Sequence, residues 1–462
     1  MTDRFNFTQS LTCVACGDIL VDPITLSCGY TVCSHCFPVS SPTSVKKSVF
    51  RCPVPHCDSP KHLFGPELLA DTTVLEFTNI LRNYLPNCSL PPSPCEEMDT
   101  DTNSINLVAN AVIPLLTCQS CSSPVVEPTT TPCGHTFCRL CVLQSKIDTD
   151  QCITCYRPLP KFSNLLAQAP NHLIARVVKD FQLSGFLPCN TRQTSLLDSI
   201  NLQQYNVPLF ISGTVILPGQ SFRLPIYAPN HLRMFRNSLI PSSRYNGLCL
   251  ASVHRSRPQV AQFGTILQII GVEHRNDALI IDVVGVDRFK LENHEEQDET
   301  TLAANFEILH EASIRQLSIE IPNSPPADDH LGLQKQQEQV SQYTVDLAES
   351  ILQFIHHLSE QSNMPTGSLH TQTAGLLGPL WLESMKSLHG PMPSKLNPTA
   401  VCWWAAVVLP VSHTDLYLLL RTIPIIDRLE LVISWMQNLQ SQWERCRSTA
   451  IHAFSQVAQQ QQ

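Results

Sequence analysis

Residues 118–155 read CQSCSSPVVEPTTTPCGHTFCRLCVLQSKIDTDQCITC, and the spacing of cysteine and histidine in this stretch decides the fold around it. Cys118-x2-Cys121, Cys133-x-His135, Cys138-x2-Cys141 and Cys152-x2-Cys155 supply two complete four-ligand sets. Zinc takes four soft or borderline ligands at the corners of a tetrahedron, and ligands separated by two residues close two corners from one tight turn. Because the pairs alternate along the chain, the natural closure is interleaved. Cys118, Cys121, Cys138 and Cys141 surround one ion, and Cys133, His135, Cys152 and Cys155 the other. Cysteines gathered only by burial or by disulfides would rarely fall at four such spacings. The stretch is too short and too polar to bury an adequate core, so zinc supplies most of its folding free energy.

A damaged second copy lies upstream: Cys13-x2-Cys16, Cys28, Cys33-x2-Cys36, then Cys52 and Cys57. Residues 28–33, CGYTVC, align with residues 133–138, CGHTFC. Tyr30 therefore stands where the downstream copy has His135, and the closing pair is widened to Cys52-x4-Cys57. Cys13, Cys16, Cys33 and Cys36 still complete one site. Cys28, Cys52 and Cys57 need a fourth ligand, for which His56 or His35 is available; otherwise this copy holds one zinc and relies on packing. The expected cofactor is Zn2+, three or four structural ions. After each copy, apolar residues recur three and four apart, at Val74, Leu75, Phe77, Ile80 and Leu81 and at Leu173, Ile174, Val177, Val178 and Phe181. The repeated unit reads as a zinc module plus a helix whose apolar stripe packs locally.

The ligand pattern resembles the RING finger. That resemblance implies a module that binds a ubiquitin-conjugating enzyme charged with ubiquitin and that has no catalytic side chain of its own. It also marks partner contacts. Ser120, matched by Ala15 in the first copy, stands just before the second cysteine, where active rings usually carry an apolar residue. Tyr156, followed by Arg157, stands where a basic residue often follows the last ligand.

The bulk numbers bound the rest. A chain of 462 residues exceeds a single core. Of its 20 cysteines, all but Cys88, Cys95, Cys189, Cys249, Cys402 and Cys446 fall in the two zinc modules. The remainder are scattered without pairing pattern, which predicts a reducing compartment, cytoplasmic or nuclear. No apolar leader or spanning segment is evident, so no membrane is expected; the longest apolar run, 400–409, is short and followed by Pro410. A net charge of −9 without a Lys/Arg block argues against nucleic acid as a partner.

The expected organisation is multidomain α+β: a degenerate ring plus helix at 10–85, a disordered linker at 86–112, a complete ring plus helix at 113–185, a large domain at 203–445 and a Gln-rich tail at 446–462. In the large domain, strands are expected at 207–211, 222–227, 247–252, 264–272 and 278–286, forming a twisted antiparallel sheet or small barrel. A charged break follows at 292–299, then a strand pair at 306–309 and 314–321 and a polar insertion at 322–339. Two amphipathic helices close it, marked by Val345, Ile351, Leu352, Ile355 and Leu358 and by Ile425, Ile426, Leu429, Val432, Ile433, Met436 and Leu439.

Pro208-Leu209-Phe210, Leu217-Pro218-Gly219, Leu224-Pro225-Ile226-Tyr227, Phe263-Gly264-Thr265 and Val284-Gly285-Val286-Asp287-Arg288-Phe289 look like the N-terminal domain of Lon proteases. Trp403-Trp404, Leu409-Pro410 and Asp427-Arg428-Leu429-Glu430 fit its helical half. Joined to rings, the chain is similar to the family carrying a Lon N-terminal domain and RING fingers, although the helical repeats that family members often place between their rings are missing here. The resemblance implies a RING-type ubiquitin ligase whose Lon-like domain recognises client proteins. With no Gly-x4-Gly-Lys-Ser/Thr loop and no protease module, neither ATPase nor protease activity is expected. The alternative is a non-enzymatic, zinc-stabilised scaffold or adaptor.

Overall fold

The computed structural model describes residues 11–37, 49–55, 57, 61–63, 68–84, 102–188, 207–227, 232, 233, 235, 236, 238–242, 247–256, 259–275, 278–298, 301–309, 330–359 and 377–460. The chain divides into two units. One comprises Met1–Ser199 with Pro241–Leu248 and Ile270–Ile280; the other comprises Ile200–Ile240, Cys249–Ile269 and Ile281–Gln462.

In the first unit, strands β1 (Pro23–Thr25) and β2 (Thr31–Cys33) pair antiparallel, as do β3 (Val49–Arg51) and β4 (Lys61–Leu63). Helices α1 (Thr72–Tyr84) and α2 (Thr102–Val112) follow. The second ring repeats the first hairpin with β5 (Pro128–Thr130) and β6 (Thr136–Cys138), then adds α3 (Arg139–Asp148), α4 (Phe162–Ala167) and α5 (His172–Leu183). Both post-ring helices start on a capping side chain. Asp71 Oδ1 accepts from the Val74 amide at 3.0 Å, and Asn171 Oδ1 from the Ile174 amide at 3.1 Å.

The apolar stripes do not form two separate local cores. Leu20, Leu26 and Val32 of the first ring, Val74, Phe77 and Leu81 of α1, and Ile174, Val177 and Phe181 of α5 belong to one buried cluster. Val108, Ala109 and Val112 of α2 join it. This corrects the expectation of a disordered linker through residue 112. The segment 102–112 is helical because its own apolar stripe finds a core, whereas 86–101 lies outside the described residues.

Strands β7 (Val207–Ser212), β8 (Ser221–Ile226), β9 (Leu239–Ser242), β10 (Gly247–Ser256), β11 (Gln259–Arg275), β12 (Ala278–Asp298) and β13 (Thr301–Leu309) build a seven-stranded sheet that belongs to the second unit apart from its stretches Pro241–Leu248 and Ile270–Ile280. Its order is β11-β10-β7-β13-β12-β8, with β9 on β10. A further β11–β12 pairing joins the two ends of the run β11-β10-β7-β13-β12, closing those strands on themselves as a small barrel. The β10–β11, β12–β13 and β13–β7 pairs are antiparallel, and β10 runs parallel to β7.

The charged break expected at 292–299 is instead strand as far as Asp298. β12 continues because its backbone pairs with β13, Asn293 opposite Asn305 and Glu296 opposite Leu302, and charged side chains do not prevent main-chain pairing at a ladder end. The strand expected at 314–321 lies outside the described residues.

Helices α6 (His330–Ser359), α7 (Pro379–His389), α8 (Pro398–Val408), α9 (His413–Arg421) and α10 (Ile425–Gln460) complete the unit. Residues 330–339, read as part of a polar insertion, open α6, and the expected tail from 446 continues α10 to Gln460. The apolar run at 400–409 is the central helix α8, where Val401, Cys402, Trp403, Trp404, Ala405 and Ala406 are all buried. No helix among the described residues is long and apolar enough to cross a membrane.

Candidate metal centres and the ring contact

Zinc–sulfur bonds of about 2.3 Å in a tetrahedron place the sulfurs about 3.8 Å apart, and this sets the fit test for each cluster. Cys121 and Cys138 Sγ are 3.8 Å apart, within the set Cys118, Cys121, Cys138 and Cys141. In the interleaved set, His135 Nδ1 lies 3.5 Å from Cys133 Sγ and 3.8 Å from Cys152 Sγ, with Cys155 as the fourth member. In the first ring, Cys13 and Cys36 Sγ are 3.9 Å apart, alongside Cys16 and Cys33. The donor sets and edge lengths fit zinc at all three.

Cys28, Cys52 and Cys57 also come together, with Cys28 and Cys52 Sγ 4.0 Å apart. Of the two offered fourth ligands, His56 lies outside the described residues and His35 is exposed and absent from this cluster. Tyr30 supplies no ligand there and instead packs its ring 4.6 Å from that of His172. The chain thus carries three or four structural zinc sites.

One thiol in each of the three four-ligand sets is held low. Burial pushes Cys13 up, but amide donors at Cys16, Cys33 and Ala15 outweigh it and bring the group to about 7. Hydrogen bonds from the Cys138 and Cys141 thiols drive Cys118 well below the usual thiol range, and the Cys133 thiol brings Cys152 down to about 4. Their partners move the other way. Cys138 is raised by its bond to Cys118, and Cys141 to about 12 by the same thiolate. The thiols held high carry protons that an incoming cation must displace.

Helix α3 of the second ring is anchored by two buried cations. Arg139 donates through Nε to Glu127 at 3.0 Å and through Nη1 to the carbonyls of Leu165 and Leu166, while Lys146 bonds Asp150 and the Leu159 carbonyl. Ser120, Tyr156 and Arg157 are all exposed, and Tyr156 has a positive φ of 58°.

The rings meet through a pseudo-two-fold arrangement. The Thr72 amide donates to the Gly134 carbonyl at 2.8 Å, and the His172 amide to the Gly29 carbonyl at 2.9 Å, so each post-ring helix begins on the opposite ring. The two glycines have φ of +81° and +86°, and a Cβ would stand 2.1 Å from the Pro170 carbonyl oxygen at Gly29 and 2.0 Å from that of Ala70 at Gly134. On the axis, Asn171 Nδ2 donates to Asp71 Oδ2 at 3.0 Å. Thr25 and Thr130 flank this bond. Their hydroxyls donate to Asp71 Oδ2 at 2.6 and 3.3 Å and accept from Asn171 Nδ2 at 3.2 and 2.9 Å. Thr31 and Thr136 back them at 2.8 Å each. Burial raises the Asp71 pKa despite these donors.

Sequence reasoning missed this network. Its signal was present in the repeated Thr-x5-Thr spacing, Thr25 with Thr31 and Thr130 with Thr136, and in the Asp or Asn preceding each helix.

Within the second unit, a cleft of about 560 Å3 opens between barrel and helices, lined by Pro218 and Val286 on one side and His389, Pro391, Trp403 and Trp404 on the other.

Comparison with known proteins places both parts. A family model described as the ATP-dependent protease La (LON) substrate-binding domain matches residues 206–438, about half the chain, and one described as a C3HC4-type zinc finger (RING finger) matches 118–155. A Schizosaccharomyces pombe protein named as a LON peptidase N-terminal domain and RING finger protein is 27% identical over 334 residues, 58% of this chain. The aligned part spans 66% of that relative's length. A Lon N-terminal domain protein from Xanthomonas campestris is similar at 18% identity with a TM-score of 0.29, covering 50% of this chain and 98% of its own. The N-terminal domain of a Mycobacterium avium complex Lon protease gives 15% identity and a TM-score of 0.31, covering 50% of this chain and 97% of its own.

Proposed function

Because the chain belongs to the family that joins a Lon substrate-binding domain to a RING finger, we propose that it acts as a RING-type ubiquitin ligase. The observation that carries this reading is the pair of complete, interleaved ligand sets at 118–155, which lie inside the RING match. With all four positions of each set filled by protein, the zincs are structural and leave no open coordination site for chemistry. Cys118, Cys121, Cys138 and Cys141 hold one ion, and Cys133, His135, Cys152 and Cys155 the other. Cys13, Cys16, Cys33 and Cys36 hold a third, and Cys28, Cys52 and Cys57 contribute to a fourth.

The second ring binds a conjugating enzyme charged with ubiquitin, with Ser120, Tyr156 and Arg157 on the contact surface. Catalysis comes from holding the thioester in a reactive orientation, which removes translational and rotational freedom from the transfer step. Residues 203–445 select client proteins, and the cleft beside Trp403 is the recess available for an apolar client segment.

The test is discharge of ubiquitin from a panel of charged conjugating enzymes, with the full chain and with 203–445 removed. The ligase reading expects discharge by both and client ubiquitination by the full chain only. No discharge with any conjugating enzyme leaves the adaptor reading, in which both rings serve as docking modules.

A further inference from the structure

We propose that Asp71 and Asn171 encode an unlike-only pairing of the two rings: the face that carries them fits the chain's own other ring and rejects a second copy of the same ring. The argument is one of donors and acceptors. Each residue must spend Oδ1 on capping its helix, Asp71 on the Val74 amide and Asn171 on the Ile174 amide. What remains on the axis is an acceptor, Asp71 Oδ2, and a donor, Asn171 Nδ2, and these meet at 3.0 Å in a site sealed from water. A pair of first rings would bring two carboxylate oxygens together there, and a pair of second rings two amide N–H groups. Either leaves buried polar groups unmet or opposed, which costs more than a neutral pair returns.

The same kinds of partner recur at the two ends of the network. Thr25 and Thr130 lie on both residues, Thr31 and Thr136 back them equally, and the Asp71 and Asn171 amides both donate to a proline carbonyl of their own ring, Pro23 at 2.7 Å and Pro128 at 2.6 Å. Within this network it is the axial pair that sets donor against acceptor. Pairing is therefore closed within one chain, and the face is used up.

This proposal does not depend on ligase activity, and its readouts are the unfolding midpoint, zinc retention against a chelator, and sedimentation of the full chain. Asp71→Asn and Asn171→Asp each create a like pair and should lower the midpoint of the ring unit by roughly 5 °C or more, with faster zinc loss. The double variant Asp71→Asn/Asn171→Asp restores donor against acceptor with the ends exchanged, and should recover at least half of the loss from either single change. Should the single variants fail to fold, purification of a folded double variant still supports the code. A double variant as damaged as the two singles combined, or too unstable to purify, overturns it, as does an Asn171→Asp variant indistinguishable from the parent. The parent chain should sediment as a monomer; a dimer dissolved by either single variant would place the pairing between chains and overturn closure within one.

Discussion

The guanidinium carbon of Arg428 lies 4.8 Å from the centroid of the Trp403 ring, and both residues are buried. Arg288, also buried, lies 5.4 Å from the same centroid. Its Nη1 donates to the carbonyls of Leu420 and Thr422 at 2.8 and 2.7 Å, which belong to the C-terminal end of α9 and the residue beyond it. Two cations withdrawn from water thus share one indole ring, and Arg288 is also met by carbonyls at the negative end of a helix dipole.

Replacing the indole should therefore destabilise the second unit beyond the loss of volume. Trp403→Ala is expected to cost about 3–5 kcal/mol in urea unfolding of the full chain, and Trp403→Phe, which keeps an aromatic face, distinctly less. Equal losses would remove the cation contacts from the explanation.

Gly29→Ala and Gly134→Ala should damage the first unit to a similar extent. Each puts a Cβ onto a carbonyl oxygen at about 2 Å and forces an L side chain into positive φ, for which a cost of at least roughly 1–2 kcal/mol is expected. Thermal unfolding of the two variants measures it; a large difference between them would contradict the symmetry of the ring contact.

Zinc loading should release protons. In the metal-free second ring, Cys138 is raised and Cys141 is near 12, so both thiols carry protons at neutral pH that zinc must displace. Since the bound metal requires the deprotonated ligands, affinity rises with pH and weakens as pH falls. Calorimetric titration in two buffers of different ionisation enthalpy gives the proton count directly, and a count near zero would contradict these thiol states.

Elemental analysis of purified protein should find three or four zincs per chain. Cys13→Ser should remove about one zinc and reduce ubiquitin discharge by roughly tenfold or more, because the first ring shares its core with α5 of the second. Undiminished discharge would show that the second ring functions without its neighbour.

The metal sites were the most legible part of this sequence, because ligand spacing is local and Cys118 to Cys155 announce their partners by position alone. The barrel strands were legible as apolar runs bounded by Gly, Pro and Asn. Periodicity could not say which neighbour an apolar stripe meets, so the sharing of one core by Leu26, Phe77 and Phe181 stayed hidden. The Glu292–Asp298 stretch misled because its side chains are polar while its order comes from main-chain pairing to β13. Residues 102–112 misled in the opposite way, since Val108 and Val112 are a short stripe in polar company.

The crossing of each helix onto the opposite ring bears on how the two copies can diverge. Once Thr72 is seated on Gly134 and His172 on Gly29, neither copy is a spare. The copy that carries Tyr30 in place of a histidine braces the intact one and is braced by it in return. The two rings therefore work as one joint, and a change in either is felt at both.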